Sequence, residues 1–461
     1  MKTTRRRSLF ILLLTLGFIF GLCYFIFQLS LNNGTWVNQP YNGHVNDNGG
    51  LSQAGVIYDR NKAVLAQTVN GKRTYNSDKD TRKAMLHVVG DNSINISTAV
   101  QSIFRNQLSG YNMIWGLGLP QNLKSSKDIT LTLDSKACKA AYEAFDGRKG
   151  ACVVYNYKTG EVLCSVSCPT YDPDNPPVIT DKNAKQYDGV YLDKAISSAY
   201  PPGSTFKVIT AAAAIKYVPD IFSKTFYCNG KKEISGAKVT CMEHHGNINF
   251  KDALAQSCNI AFADITLLVG KDNMAQTANQ MGFNQSFDVS GIPTATSNYN
   301  VSNADDNELA WSGIGQAKDM ANPMQMAVIM GGIANGGTPV MPYMIEDQSP
   351  AFLGLFGNNQ SGRLGKQILD SDVAAKLNDM LRYDVTSHYG DNMFHGLKVC
   401  AKTGTAEVGN GDPDAWMIGY SQDEDCPLAF AVVVEHGGYG YSVAGPIAVA
   451  AMDAAKKDMA Q

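Results

Sequence analysis

The chain has 461 residues, enough for two or three domains. Its formal charge is −3 and 18% of its residues are charged, so it offers no basic excess to a nucleic-acid partner. It has no low-complexity tract and no convincing internal repeat.

Lys2 and Arg5-Arg6-Arg7 precede an uncharged apolar run from Ser8 to Phe27. About 20 such residues cross the hydrocarbon core as a helix. The arginines should stay in the cytoplasm, which places everything after Gln28 outside. A cleaved signal peptide would need small residues near its end, whereas Cys23 to Leu29 is bulky. The expected order is a cytoplasmic tail over 1–7 and a membrane anchor over 8–28. A linker and small pedestal domain follow over 29–127. Asn32 to Gly50, rich in Asn and Gly, reads as the linker. Gly55 to Ala66 reads as two short strands around a polar turn.

From 128 to 461 the pattern is that of one larger domain. Ile129 to Leu133 predicts a strand, and Asp134 caps a helix running to about Phe145. Gly150 to Asn156 and Glu161 to Ser167 form a hairpin around Tyr157 to Gly160. A long helical stretch follows, in which Asn322-Pro323 opens a helix with Gly331-Gly332 near its end. Its methionines 324, 326 and 330 read as core. Three more strands are predicted at Leu397–Ala406, Ala415–Tyr420 and Leu428–His436, then a helix from about Pro446 to Met459. Two early strands and three late ones imply a five-stranded antiparallel sheet assembled from both ends of the domain. The fold class is α+β, with helices on the sheet and an all-helical subdomain between its halves.

The most informative segment is Ala199-Tyr200-Pro201-Pro202-Gly203-Ser204-Thr205-Phe206-Lys207. The prolines cannot lie inside a helix, so a helix starts after them and runs to Tyr217, before Pro219. Residues three apart share a helix face. A serine hydroxyl becomes nucleophilic when a neighbouring base takes its proton, and a lysine can be that base if burial keeps it neutral. The pattern alone is weak, since Ser235 to Lys238 has the same spacing. Two companions add weight. Ser257 and Asn259, two apart in Gln256-Ser257-Cys258-Asn259, can pass a proton and fix a carbonyl or an amine. Lys402-Thr403-Gly404-Thr405 lies on a predicted strand, where a lysine and hydroxyls suit a carboxylate and Gly404 leaves room for a substrate backbone.

The ten cysteines are scattered and imply no oxidised framework. Cys228 and Cys241 flank a polar loop and could pair. With His244 and His245 they also suggest zinc, but the second Cys-x-x-Cys or His spacing of a structural site is missing. Neither a metal nor a cofactor is therefore expected.

In this order the three motifs resemble those of the penicillin-binding protein and serine β-lactamase superfamily. The resemblance extends from about Asp128 to Asp458. Thr132-Leu133-Asp134, Lys158 to Leu163, Pro169 to Pro173 and Gly313 to Gln316 look like the transpeptidase domain of class B penicillin-binding proteins. Gly55 to Ala66 is similar to their pedestal, and its short surroundings to the smaller PbpA-like members. The one visible departure is Cys258 at the centre of the Ser-x-Asn motif. The resemblance implies a peptidoglycan D,D-transpeptidase that acts through a serine acyl-enzyme and is acylated by β-lactams. It implies Ser204 as nucleophile, Lys207 as base, Ser257 as proton carrier and Asn259 as peptide anchor. Lys402, Thr403 and Thr405 would bind the terminal carboxylate beside Gly404, and the amides of Ser204 and Thr405 would form the oxyanion hole. It also implies a membrane glycosyltransferase of the rod-shape, division and sporulation family as partner.

The same residues would serve a D,D-carboxypeptidase. A β-lactamase is disfavoured, because no Glu-x-x-Leu-Asn lies between Ser257 and Lys402. A silent scaffold should have lost motif residues, and a sensor would need more than the seven-residue tail. A bifunctional class A enzyme would need a glycosyltransferase domain before Asp128. No Gly-x-Ser-x-Gly elbow supports a Ser-His-Asp hydrolase.

Overall fold

The computed structural model describes residues 2–37, 51, 54–109, 128–346, 362–409 and 411–459. The first element is a helix over Lys2–Val37. Its stretch Arg5–Ile26 is long and apolar enough to cross a membrane, and none of that stretch is covered by the rest of the chain. The helix continues past Gln28 into the expected linker, whose residues 38–50 lie outside the described residues.

The small N-terminal sheet contains β1 (Ile57–Tyr58), β2 (Val64–Val69), β3 (Lys72–Tyr75) and β4 (Ile129–Thr130), in the order β3-β2-β1-β4. β4 runs parallel to β1, so the first strand after 127 completes the sheet of the expected pedestal. This strand is shorter than predicted. Beyond it Leu131 bridges to Ile345, and the Thr132 amide donates to the Met344 carbonyl. Residues 110–127 lie outside the described residues. The Arg82 guanidinium grips Asp172 with two 2.7 Å bonds, tying the small unit to the large one.

In the larger domain, Asp134 caps the helix Ser135–Phe145, accepting from the Lys136 amide at 2.8 Å. β5 (Gly150–Asn156) and β6 (Val162–Cys168) form the early hairpin. The helical region is less uniform than predicted. It holds β7 (Thr225–Cys228), β8 (Lys231–Ile234), β9 (Ala237–Thr240) and β10 (Gly246–Asn249), then the tiny pair β11 (Asp288–Val289) and β12 (Ile292–Pro293). β13 (Val399–Ala406), β14 (Asp414–Ser421) and β15 (Leu428–Val434) complete an antiparallel sheet ordered β13-β14-β15-β5-β6. Chain ends meet where Val432 pairs with Cys152.

Every residue of β5, β14 and β15 is buried, so both faces of the sheet are covered. Helices Ser135–Phe145 and Gly440–Met459 pack on each other and on the sheet, and Pro323–Ala334 packs against β5, β14 and β15. A Cβ at Gly331 would sit 1.8 Å from the Tyr155 hydroxyl oxygen, so this helix can approach β5 only with glycine there. Met324, Met326 and Met330 are core. The last helix starts at Gly440, earlier than predicted, and runs through Pro446. Pro446 and Ser442 are both exposed, so water can satisfy the carbonyl that the proline leaves free.

Asn322 joins core and site. Its side-chain oxygen caps the Pro323–Ala334 helix through the Gln325 amide. Its amide nitrogen donates to the carbonyls of Ile196 at 2.8 Å and Ser198 at 2.7 Å, in the segment leading to Ser204. Asn322→Ala removes a cap and strands buried carbonyls. The expected loss is about 2–4 kcal/mol, read from urea unfolding. A loss within 0.5 kcal/mol of zero would mean that water replaces the amide.

Candidate active site

Two prolines and a glycine fix the backbone before Ser204. Gly203 has φ +53°, and a Cβ there would lie 2.8 Å from the Thr405 carbonyl oxygen. The Gly203 amide donates to the Gly315 carbonyl at 2.9 Å. A Cβ on Gly404 would lie 2.9 Å from the Pro202 carbonyl oxygen, and the buried Trp416 indole donates to the Pro201 carbonyl at 2.9 Å. The turn is thus pressed onto the edge strand β13. Gly203–Phe206 forms a 3₁₀ turn, and the α-helix begins at Lys207 and ends at Tyr217. The sequence placed the α-helical start three residues earlier. The tighter turn keeps Ser204 at the N-terminal end of the helix, where backbone amides favour developing negative charge.

Lys207 is fully buried. Its Nζ lies 2.6 Å from the Ser257 carbonyl, 2.7 Å from Asn259 Oδ1 and 3.1 Å from Ser257 Oγ. Burial lowers its pKa to about 7, and the nearby positive charge of Lys402 pushes the same way. A neutral amine can donate to the two shorter acceptors and accept from the Ser257 hydroxyl, a geometry that can pass a proton between them. Ser257 holds a left-handed backbone, φ +53°, between the helices Phe250–Ala255 and Asn259–Val269. Strain of this kind persists only where neighbours fix it.

Ser204, Ser257, Asn259, Thr403, Gly404 and Thr405 all line one cleft of about 710 Å³. Lys402 does not line it. The side chain is fully buried, 3.6 Å from Asp384 and 3.4 Å from the Tyr389 hydroxyl. Burial pulls the Lys402 pKa down, but Tyr389 and Asp384 outweigh it and hold the ammonium charged, while burial pushes the Asp384 carboxyl up to about 7. Lys402 is therefore not placed for the expected direct contact with a carboxylate in the cleft; its charge lies behind Thr403, and the Tyr389 hydroxyl meets both residues. The Tyr389 hydroxyl is 2.8 Å from Thr403 Oγ1 and accepts from the Thr403 amide at 3.3 Å.

Asp384 and Tyr389 escaped the sequence reading because no local pattern marks them. They reach the site because the helix Ser371–Asp384 widens into a π-helical turn over Val385–Tyr389, a distortion often found at functional sites. Asp384→Ala would leave a buried ammonium without its counter-ion. The expected cost is about 3–5 kcal/mol in urea unfolding, and replacing Asp384 and Lys402 together by Leu and Met should recover most of it. Equal losses in the single and double variants would show that the pair is not coupled.

The model of the penicillin-binding protein transpeptidase domain matches residues 150–453. The chain is 30% identical over 365 residues to the peptidoglycan D,D-transpeptidase PbpA of Mycolicibacterium smegmatis, covering 72% of this chain and 73% of that one. It is 27% identical over 351 residues to the stage V sporulation protein D of Bacillus subtilis, covering 70% of this chain and 52% of that one. Among solved structures, the D,D-transpeptidase domain of a peptidoglycan glycosyltransferase from Eggerthella lenta superposes with a TM-score of 0.74 at 29% identity, covering 88% of this chain and 98% of that one. Penicillin-binding protein A from M. tuberculosis, as its imipenem acyl-enzyme, gives 0.74 at 26% identity, covering 88% and 99%. The chain belongs to the penicillin-binding protein transpeptidase family, as a class B member.

Proposed function

We propose that this protein is a peptidoglycan D,D-transpeptidase acting through an acyl-enzyme on Ser204. The observation that carries the reading is the fully buried Lys207 amine, bonded to Ser257 and Asn259 behind a cleft that Ser204 and Thr403 to Thr405 share. Ser204 Oγ attacks the penultimate D-alanine carbonyl of a stem peptide while Lys207 takes its proton. The amides of Ser204 and Thr405 hold the oxyanion, each such donor contributing about 3 kcal/mol. The C–N bond then breaks, and the departing D-alanine amine receives a proton from Lys207 through the Ser257 hydroxyl. An amine of a second stem peptide attacks the ester carbon and gives up its proton along the same path. Ser204 Oγ leaves protonated, and the new amide is the cross-link. Asn259 orients the donor peptide. Thr403 and Thr405 take the terminal carboxylate beside Gly404, with Lys402 supplying positive charge from behind.

A β-lactam carbonyl would be attacked in the same way, as the acyl-enzyme of the M. tuberculosis relative illustrates. The Lys2–Val37 helix supports a single-pass anchor with Arg5 to Arg7 cytoplasmic and the cleft outside, in the arrangement 1–7 tail, 8–28 membrane helix, 29–127 linker and pedestal, 128–461 transpeptidase domain. A membrane glycosyltransferase would supply the glycan strand and meet the anchor and pedestal.

Ser204→Ala should abolish covalent labelling by a fluorescent penicillin; a variant that still labels would remove Ser204 from the nucleophile role. Wild-type protein given a D-Ala-D-Ala donor and an acceptor amine should yield mainly the amide. Products dominated by the hydrolysed peptide would make the protein a D,D-carboxypeptidase instead.

A further inference from the structure

The unit formed by β7 to β10 has no core of its own. β10 pairs with β7, and β8 pairs with β9, in strands of four residues that bury one or two side chains each. Phe226, Ile234, Val239 and Ile248 are its buried apolar residues. Units this small are ordinarily held by a disulfide or a metal. Here four separate segments bring a soft ligand to one point. Cys228 ends β7, Cys241 follows β9, His245 precedes β10, and Cys258 caps the helix Asn259–Val269. The three sulfur atoms and one imidazole nitrogen lie within 4.8 Å of one another. Cys241 Sγ and His245 Nδ1 are 3.6 Å apart. Tetrahedral zinc, with bonds of about 2.3 Å to sulfur and 2.0 Å to nitrogen, separates such atoms by about 3.5 Å and paired sulfurs by about 3.8 Å.

We propose that Cys228, Cys241, His245 and Cys258 bind one structural zinc ion, which clamps the β7–β10 unit onto the segment carrying Ser257 and Asn259. A disulfide would use two of the three thiols and leave the third with the imidazole; one metal uses all four. Three thiolates and an imidazole, with no open position, are the ligand set of a structural zinc site. Backbone amides already point at the sulfurs: Asn259 N–H donates to Cys241 Sγ and Ala261 N–H to Cys258 Sγ, each at 3.4 Å. Such outer bonds stabilise bound thiolates.

The sequence discounted zinc because the second Cys-x-x-Cys or His spacing was missing; the fold brings in, instead of His244, the cysteine inside the Ser-x-Asn motif. The site has a catalytic consequence. Asn259 Nδ2 donates to the Thr240 carbonyl at 3.0 Å, so the clamped loop fixes the amide whose oxygen holds Lys207. Thr240, Cys241 and Met242 also form part of the cleft wall. Zinc here is a positioning element and touches no reacting atom.

The test uses the full chain in detergent, purified without a histidine tag or chelator. Elemental analysis should find about one zinc per chain, and about tenfold less in Cys228→Ser and His245→Ala, neither of which alters the catalytic groups. If those variants fail to fold, the wild type still decides. After zinc removal, cobalt(II) should give the intense visible bands of a tetrahedral thiolate complex, which zinc abolishes. Zinc should also protect Cys228, Cys241 and Cys258 from alkylation. Zinc-free wild type without a cobalt spectrum, or a disulfide joining two of these cysteines, would overturn the site. Penicillin acylation should slow about tenfold in Cys228→Ser, whose side chain lies outside the cleft wall; an unchanged rate in that zinc-free variant would overturn the positioning role. Metal content is read without substrate, so its failure is distinct from failure of the transpeptidase reading.

Discussion

The site depends on a lysine kept out of water. Lys207 has its nitrogen held by Ser257 and Asn259 and is pushed further toward neutrality by Lys402. An ammonium in that position cannot serve as a base; a neutral amine can. The arrangement has a thermodynamic cost. The folded pKa is about 7, so between there and the ordinary lysine value the unfolded chain binds more protons than the folded one. Stability therefore rises with pH across that window, and at pH 7 the penalty is on the order of 4 kcal/mol. The double-covered sheet and the Asn322 bonds offset it.

The second lysine shows the opposite solution to the same burial. Lys402 stays charged because Asp384 and Tyr389 are built around it. Behind one cleft thus lie an amine of lowered pKa on the helical side and a fixed positive charge on the strand side. That asymmetry suits a reaction needing both proton removal and carboxylate recognition. The strand edge and the Ser204 turn are kept in contact by Gly203 and Gly404, where any side chain would force them apart.

Much of this was legible in sequence because the signals were local. Asp134 and Asn322 caps, the Pro201-Pro202-Gly203 approach and the early hairpin around Tyr157 to Gly160 each depend on a few neighbouring residues. So do the three motifs, whose cleft-lining residues the fold brings together. What escaped was set by contacts distant in the chain. Asp384 and Tyr389 arrive through a π turn that has no sequence signature. The β7–β10 strands were read as part of a helical region because each buries so little. Cys258 was read as a motif centre, although its sulfur faces Cys228, Cys241 and His245.

These features converge on the protonation state of Lys207. Its titration can be followed through the ε-carbon resonance of isotopically labelled lysine, assigned by loss of the signal in Lys207→Arg. The expected midpoint is near pH 7, with the amine neutral above it and protonated below. A midpoint near 10, the ordinary value for lysine, would contradict a neutral base in this site.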